Sequence, residues 1–360
     1  MKNILFYIPS FAGGGAERVA SVMLNHWHNV ERYNIKVVNT VDESKDLFKI
    51  DPGIARYNLS FNYNVNGFKK ILEKCKRFYK LRSSIKNNES EIVITFLTYP
   101  SILLLISSIG LNKKVICCEH NNYYAVDKKL IRVLRNILFY FFAHKITVLT
   151  HEDIYNYPKL LQGKIIVLPN PLGIDGRVHT LEKHDDKLVR LLFVGRLTRQ
   201  KGIDRLCRII QSLDSHNWIL NVCGDGELRP ELESFIKNNN FQSKIFLRGN
   251  VENIADFYKS SDLLVMTSYW EGLPMVLAEA MSFGVPAIGF DCPTGPKKFI
   301  TSYKTGYLVD NGNESHFATK LDEFISNKKV LKSYYTECLL VSSFYSIDNI
   351  QKVWLKILCE

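Results

Sequence analysis

The stretch "LPNPLG", residues 168–173, puts two prolines and a glycine into six positions between two long segments that repeat one pattern. Proline removes an amide donor and biases the residue before it away from helix, so neither a helix nor an interior strand runs through such a segment. Upstream, the β-rich runs "ILFYIP", "IKVVNTV", "EIVITFL", "KVICCE", "KITVLT" and "KIIVLP" alternate with helical patterns. Near-continuous apolar runs suit strands buried on both faces, and their alternation with helices predicts a parallel sheet covered on both sides. Downstream the alternation restarts with "VRLLFVGRL", "WILNVCGDG", "KIFLRG", "DLLVMTS" and "PAIGFD". The segment at 168–173 is therefore read as a linker between two doubly wound α/β domains that face each other across a cleft. Such sheets bind ligands beyond the C-terminal ends of their strands.

Size agrees with two domains, since 360 residues exceed what one hydrophobic core usually supports. The composition, 46% hydrophobic and 23% charged, excludes a disordered chain. The longest apolar stretches, "SILLLISSIGL" at 101–111 and "ILFYFFA" at 137–143, are shorter than the ~18 residues a membrane span needs. "MKNILFYIPSF" reads as a first strand and not as a secretion signal. The eight cysteines include no CxxC pair and no grouping with histidine at metal spacing, which predicts reduced thiols in a cytoplasmic protein. Charge is uneven: to residue 175 there are 24 Lys and Arg against 14 Asp and Glu, a net +10, and the remainder holds 23 against 22, a net +1. The first half is thus expected to meet a polyanionic partner, either nucleic acid or an anionic membrane.

The chemistry concentrates at strand ends. In "EGLPMVLAEAM", 271–281, Glu271 precedes a Gly-Leu-Pro break and Glu279 lies in the apolar run that follows. Pro274 is read as the first helical residue, where its missing N–H is no loss, so the amides of Met275 and Val276 form an anion site with the helix dipole. Eight helical positions rise about 12 Å, roughly the reach from a nucleotide's ribose to a sugar beyond its diphosphate. The plainer alternative is a solvated glutamate at a helix start and another on its exposed face. A glycosidase-like carboxylate pair fits poorly, because the two glutamates share one local element with an anion site between them.

In "VGRLTRQKG", 194–202, Arg196 and Lys201 occupy the turn after a strand, where two cations suit a diphosphate. Gly224, in "CGDGEL" at 223–228, lets a ligand approach the backbone closely. "AGGGAER" at 12–18 opens a helix just after Gly13, Gly14 and Gly15, but Arg18 stands where a dinucleotide fingerprint needs its third glycine. His120, in "CCEHNNYY" at 117–124, leaves a strand end of the basic half. Histidines of this kind are commonly structural, and its place at a strand end favours ligand contact. The stretches at 68–86 and 128–145 are basic and amphipathic, which fits either core-facing helices with solvated basic faces or docking on anionic lipid. No nucleic-acid motif is visible, so nucleic acid is not the expected partner.

Taken in order, "GGGAERV", "EHNN", "LPNPL", "VGRLTRQKG", "CGDGEL" and "EGLPMVLAEAM" resemble the retaining glycosyltransferases of family 4, over almost the whole chain. The resemblance implies the GT-B fold: an acceptor-binding, membrane-facing Rossmann-like domain at 1–169, a nucleotide-sugar domain at 170–344, and a C-terminal helix at 345–360 crossing back to the first domain. It implies that Glu279 binds the donor ribose and Glu271 the hydroxyls of the transferred sugar. Arg196 and Lys201 neutralise the leaving diphosphate with the amides after Pro274, Met275 and Val276 included. Gly14 and Gly15 lie against the diphosphate and sugar, Gly224 and Gly249 belong to the nucleotide side, and His120 touches the transferred sugar or positions the acceptor. No enzymatic nucleophile is evident, so same-face substitution through an oxocarbenium-like transition state is implied. No metal is expected, since "DGE" at 225–227 is the nearest approach to a metal-holding D-x-D and already belongs to the nucleotide loop.

"FDCPTGPKKFI" at 290–300 is similar to members that build bacterial surface polysaccharides such as O-antigen, capsule or exopolysaccharide. That similarity implies transfer of a hexose or N-acetylhexosamine, of the galactose or GalNAc type, from a UDP-sugar to a lipid-diphosphate-linked glycan. The enzyme would sit in the cytoplasm, peripheral at the inner face of the plasma membrane. Competing readings are a nucleotide-sugar hydrolase or epimerase of the same fold, a basic membrane-binding protein with an inactive donor site, and, more distantly, a dinucleotide oxidoreductase.

Overall fold

A computed structural model of the chain describes residues 2–30, 33–61, 66–121, 123–126, 128–176, 187–293 and 295–359. Asn122 and Thr294, within two of the quoted stretches, lie outside the described residues, as do the side chains of Phe68 and Lys70 in the basic stretch at 68–86. The chain divides into two units, Met1–Pro171 with Ile347–Glu360, and Leu172–Ser346. The first crossing falls inside the Pro-rich segment at 168–173. In the second unit the Leu172 amide donates to the Tyr345 carbonyl at 2.8 Å, pairing the outgoing and returning segments.

The first unit is built on seven parallel strands: β1 Lys2–Tyr7, β2 Tyr33–Asn39, β3 Ala55–Asn58, β4 Ile92–Phe96, β5 Lys114–Cys118, β6 Lys145–Val148 and β7 Ile165–Val167. Their order is β3-β2-β1-β4-β5-β6-β7, so the winding reverses between β1 and β4. Successive side chains of a strand point to opposite faces. Ile4 and Phe6 accordingly join one core layer, with the helix Gly15–Asn29, and Leu5 and Tyr7 join the other, with the helices Phe68–Lys86, Thr98–Ser108 and Lys129–Phe142. Ala16, Val19, Ala20, Met23, Leu24 and Trp27 are the buried face expected after the glycine loop. The same alternation separates the adjacent Cys117 and Cys118 into the two layers, both as free thiols. The last helix, Ile347–Cys359, follows Ser346 and packs into the first layer. There the Trp27 indole donates to Gln351 Oε1 at 2.6 Å, and Trp27 meets Trp354 edge-to-face at 5.1 Å.

The second unit carries six parallel strands: β8 Val189–Val194, β9 Trp218–Cys223, β10 Ile245–Gly249, β11 Leu263–Met266, β12 Ala287–Phe290 and β13 Gly306–Val309. Their order, β10-β9-β8-β11-β12-β13, reverses between β8 and β11. Each sheet contains one strand that the sequence pattern did not announce, β3 in the first and β13 in the second, and both are edge strands. An edge strand is not sealed on every side, so it needs no long apolar run. β3, "ARYN", is mostly exposed, and β13, "GYLV", is four residues long.

Candidate active site

In the second unit the site grows from the two strands that flank the reversal of winding. After β8 the chain makes a short turn, Arg199–Lys201, and reaches Gly202, which has left-handed φ and ψ of 66° and 46°. A Cβ on Gly202 would stand 2.1 Å from the Thr267 carbonyl oxygen, so only glycine lets this turn close on the end of β11. Thr267 Oγ1 donates to the carbonyls of Lys201 and Gly202, both at 3.0 Å. The Tyr269 amide donates to the Gln200 carbonyl at 2.8 Å. Stitched in this way, the two turns bring Lys201 Nζ to 2.7 Å from Glu271 Oε1, with Ser268 Oγ donating to the same oxygen at 2.6 Å. Beneath the β11 turn, the buried guanidinium of Arg205 stacks on Tyr269 at 3.7 Å and donates to Asn311 at 3.0 Å.

The helix after Glu271 runs Met275–Ser282, and Pro274, with ψ of 87°, is its N-cap and not its first helical residue as the sequence suggested. The span from Glu271 to Glu279 is thus half loop, and the ideal-helix rise does not measure it. Met275 and Val276 open the helix and have no carbonyl one turn back to receive their amides. Glu279 is 2% exposed and accepts from the Tyr258 hydroxyl at 3.1 Å, and Glu271 is 6% exposed. The alternative of two solvated glutamates is thereby excluded. Buried carboxylates are expensive unless they are partnered, and both of these have partners.

The surrounding loops are equally close. The Gly224 amide donates to the Gly249 carbonyl at 2.7 Å, and a Cβ on Gly224 would meet the Gly195 carbonyl oxygen at 2.0 Å. Residues of the "FDCPTG" stretch lie against the Glu271 loop: the Glu271 amide donates to the Pro293 carbonyl at 3.3 Å. Burial, together with the neighbouring Glu271 charge, pushes the Cys292 thiol up to about 12. Arg196 is exposed and makes no ion pair among the described residues.

In the first unit Gly14 caps the helix Gly15–Asn29, Gly15 opens it, and a Cβ on Gly15 would meet nothing within 4 Å. His120 follows β5. Its ring lies on Phe96 at 4.0 Å, and its Nδ1 is 2.9 Å from Asn170 Oδ1. Its Nε2 is buried without a hydrogen-bond partner among the described residues. Burial lowers the imidazole pKa to about 4, against the opposing hydrogen bond to Asn170, so the ring is neutral near pH 7. With Nδ1–H donating to Asn170, Nε2 is left as an acceptor.

Beside His120 lies a group that motif reading passed over. Glu119, 3% exposed, accepts at Oε2 from Thr98 Oγ1 at 2.6 Å and from Arg135 Nη1 at 3.2 Å. Arg135 belongs to the basic amphipathic stretch at 128–145, whose basic residues are expected on the solvated face, yet it is fully buried. The reason is helical spacing: Arg135 shares the inward face with Leu138 and Phe139. Asn170 was likewise read only as part of a linker. A polar residue between two prolines was the available signal for it.

Known proteins resemble this chain in sequence and in fold. Residues 179–337 match the family described as "Glycosyl transferases group 1". The chain is 29% identical over 368 residues to the amylovoran biosynthesis glycosyltransferase AmsD of Erwinia amylovora, covering 99% of this chain and 100% of that protein. It is 28% identical over 364 residues to the GalNAc-alpha-(1->4)-GalNAc-alpha-(1->3)-diNAcBac-PP-undecaprenol alpha-1,4-N-acetyl-D-galactosaminyltransferase of Campylobacter jejuni, covering 100% and 99%. Among solved structures, Anabaena Alr3699/HepE in complex with UDP and glucose superposes with a TM-score of 0.82 at 15% identity, covering 100% of both chains. Residues 179–337 thus match the group 1 glycosyl transferases, and the chain has the GT-B fold of the solved glycosyltransferases it superposes on.

Proposed function

We propose that the chain transfers a hexose or N-acetylhexosamine, of the galactose or GalNAc type, from a UDP-sugar to a lipid-diphosphate-linked glycan in bacterial surface polysaccharide synthesis, with retention of anomeric configuration. The observation that carries this reading is the Lys201–Glu271 pair at the winding reversal of the second sheet, with Glu279 buried about one turn into the next helix. Nucleotides bind at such reversals in doubly wound sheets. The chemistry follows from the groups present. Lys201, the exposed Arg196 and the amides of Met275 and Val276 take up the charge that develops on the departing diphosphate. Glu279 accepts from the ribose, Glu271 accepts from sugar hydroxyls, and Gly224 and Gly249 line the nucleotide side. Gly14, Gly15 and the Nε2 acceptor of His120 serve the sugar and acceptor.

No side chain is cast as nucleophile, and the acceptor hydroxyl attacks the face the diphosphate leaves, passing its proton to that diphosphate. Because side chains and amides supply the counter-charge, full activity in a chelator is expected, and activity that returns only with manganese overturns the metal-free reaction. The acceptor class is supported by the PP-undecaprenol named for the Campylobacter relative, and the donor by the UDP named with Alr3699/HepE. The decisive experiment offers a panel of UDP- and GDP-sugars with a mixture of lipid-diphosphate acceptors and reads products by mass spectrometry and anomeric NMR. Release of free sugar alone, or an inverted linkage, overturns the reading.

Peripheral attachment to the inner face of the plasma membrane belongs to the same proposal. None of the described helices is long and apolar enough to cross a membrane. The helix Lys129–Phe142 exposes Leu130, Val133, Leu134, Ile137 and Phe141, with Leu130 at 80% and Phe141 at 67%. Lys128 and Lys129 are exposed at its start, and the helix Phe68–Lys86 adds exposed Lys69, Lys74 and Lys76 on the same side of the sheet. An apolar stripe rimmed by lysines suits an anionic lipid surface.

A further inference from the structure

We propose that Glu119, clamped by Thr98 and Arg135, is a positioning residue that fixes the imidazole of His120 for contact with the transferred sugar. The proposal rests on the reading of His120 given above and adds residues that no motif assigns. Arg135 is 0% exposed, and its guanidinium lies among the rings of Tyr123, Tyr157 and Phe139, with centroids at 4.4, 5.0 and 5.8 Å. Removing two charges from water costs several kcal/mol per ion, and well-packed apolar residues of similar volume are commonly as stable or more so. Stability therefore gives no reason for an ion pair at this position.

Geometry gives one. Thr98 opens the helix after β4, and Arg135 lies in the middle of the helix Lys129–Phe142. The Glu119 amide donates to the carbonyl of Thr147 in β6 at 2.9 Å. Residue 119 is thus held from three elements, by side chain and by main chain. One peptide bond later, His120 leaves from an anchored main chain, and Phe96 at 4.0 Å and Asn170 at 2.9 Å restrict its ring. A donor or acceptor must sit within a few tenths of an ångström of its substrate to be productive, and a displacement of about 1 Å costs on the order of a hundredfold in rate. An apolar pair could fill the volume, but it would give the main chain at residue 119 no directional anchor.

The test compares the wild type, His120→Ala, the double variant Glu119→Leu/Arg135→Met, and the triple combination. The double variant is expected to keep the wild-type thermal midpoint and UDP affinity while losing about tenfold to a hundredfold in kcat. In the His120→Ala background the same two substitutions cost no further activity, because they act through that ring. Wild-type kcat in a stable double variant, or an equal loss with and without His120, overturns the proposal. Wild-type activity in His120→Ala overturns the reading of His120 and the proposal together. A second readout needs no acceptor: nitrogen-15 correlation spectra show a single Nδ1–H tautomer for His120 in the wild type and a mixture in the double variant. A tautomer unchanged in the double variant overturns the proposal even when no transfer has been detected.

Discussion

The two sheets share one strand order about the same kind of reversal, and each places an ion pair beyond its strand ends, yet the pairs differ in access. In the second unit Lys201 keeps 17% of its side chain exposed and Glu271 keeps 6%, so solvent reaches the cation. In the first unit Arg135 is 0% and Glu119 3% exposed, and aromatic rings close over the guanidinium. An accessible pair can exchange its internal partner for a ligand's diphosphate. A sealed pair can act only through the backbone it holds. On the proposed reaction, one arrangement binds and the other aims.

The largest effect is expected where the pair is accessible. Lys201→Ala lowers kcat by about a hundredfold to a thousandfold while the fold survives, measured by steady-state transfer and circular dichroism. A loss below about tenfold removes Lys201 from the chemistry. The sealed pair answers differently: Arg135→Ala strands a buried carboxylate and costs about 3–5 kcal/mol of stability, read from urea midpoints. An exposed-type cost under about 1 kcal/mol would erase the contrast between the two pairs. Gly202→Ala tests what brings the accessible pair together. Its positive φ and the 2.1 Å approach to Thr267 predict a loss of about 2–3 kcal/mol with impaired donor binding, seen by thermal melts and UDP titration.

Acid should separate the units further. The unfolded chain protonates His120 as pH falls through about 6.5, whereas burial delays this in the folded chain to about 4. The unfolded state therefore binds more protons in that window, and stability is lost as pH falls across it. Glu119 has the opposite sign, since burial raises its pKa and its protonation favours the folded chain as pH drops. The difference between wild type and His120→Asn isolates the histidine and amounts to about 1–2 kcal/mol between pH 6.5 and pH 5 in denaturant titrations. An identical pH slope in both proteins contradicts a buried neutral ring. Smallest of all, Leu130→Ser weakens binding to anionic vesicles by about fivefold without changing stability, as flotation and melting curves would show. Unchanged flotation would remove the stripe from membrane contact.

Much of the second unit's site was legible in the sequence, because its parts are consecutive: a strand, a turn with glycine, and a helix start. "GRLTRQKG" and "EGLPMVLAEAM" each state their own local geometry, and only their meeting needed the fold. The first unit's site was less legible. His120 and Asn170 are fifty residues apart, and Glu119, Thr98 and Arg135 come from three different elements. Spacing along the chain does not report such contacts. Arg135 could have been found: it stands three and four residues before Leu138 and Phe139, on the periodicity of the buried face, and an arginine there demands a partner. The interior strands declared themselves as continuous apolar runs. "ARYN" and "GYLV" did not, because a strand paired on one side carries little hydrophobic signature.

The helix Lys129–Phe142 has one face that carries Arg135, Leu138 and Phe139 inward and another that shows Leu130, Val133, Leu134, Ile137 and Phe141 to the outside. For anyone engineering the protein, this divides the helix into two independent alphabets. The outer five positions are exposed, so charged residues there are expected to leave the fold intact and, on the proposed reading, to remove contact with lipid. The inner three are bound to the core, and Arg135 among them is held by Glu119, so it changes only together with that partner. A library that treats the helix as a single basic stretch would mix the two, and its inactive members would be misread as evidence that lipid contact drives catalysis.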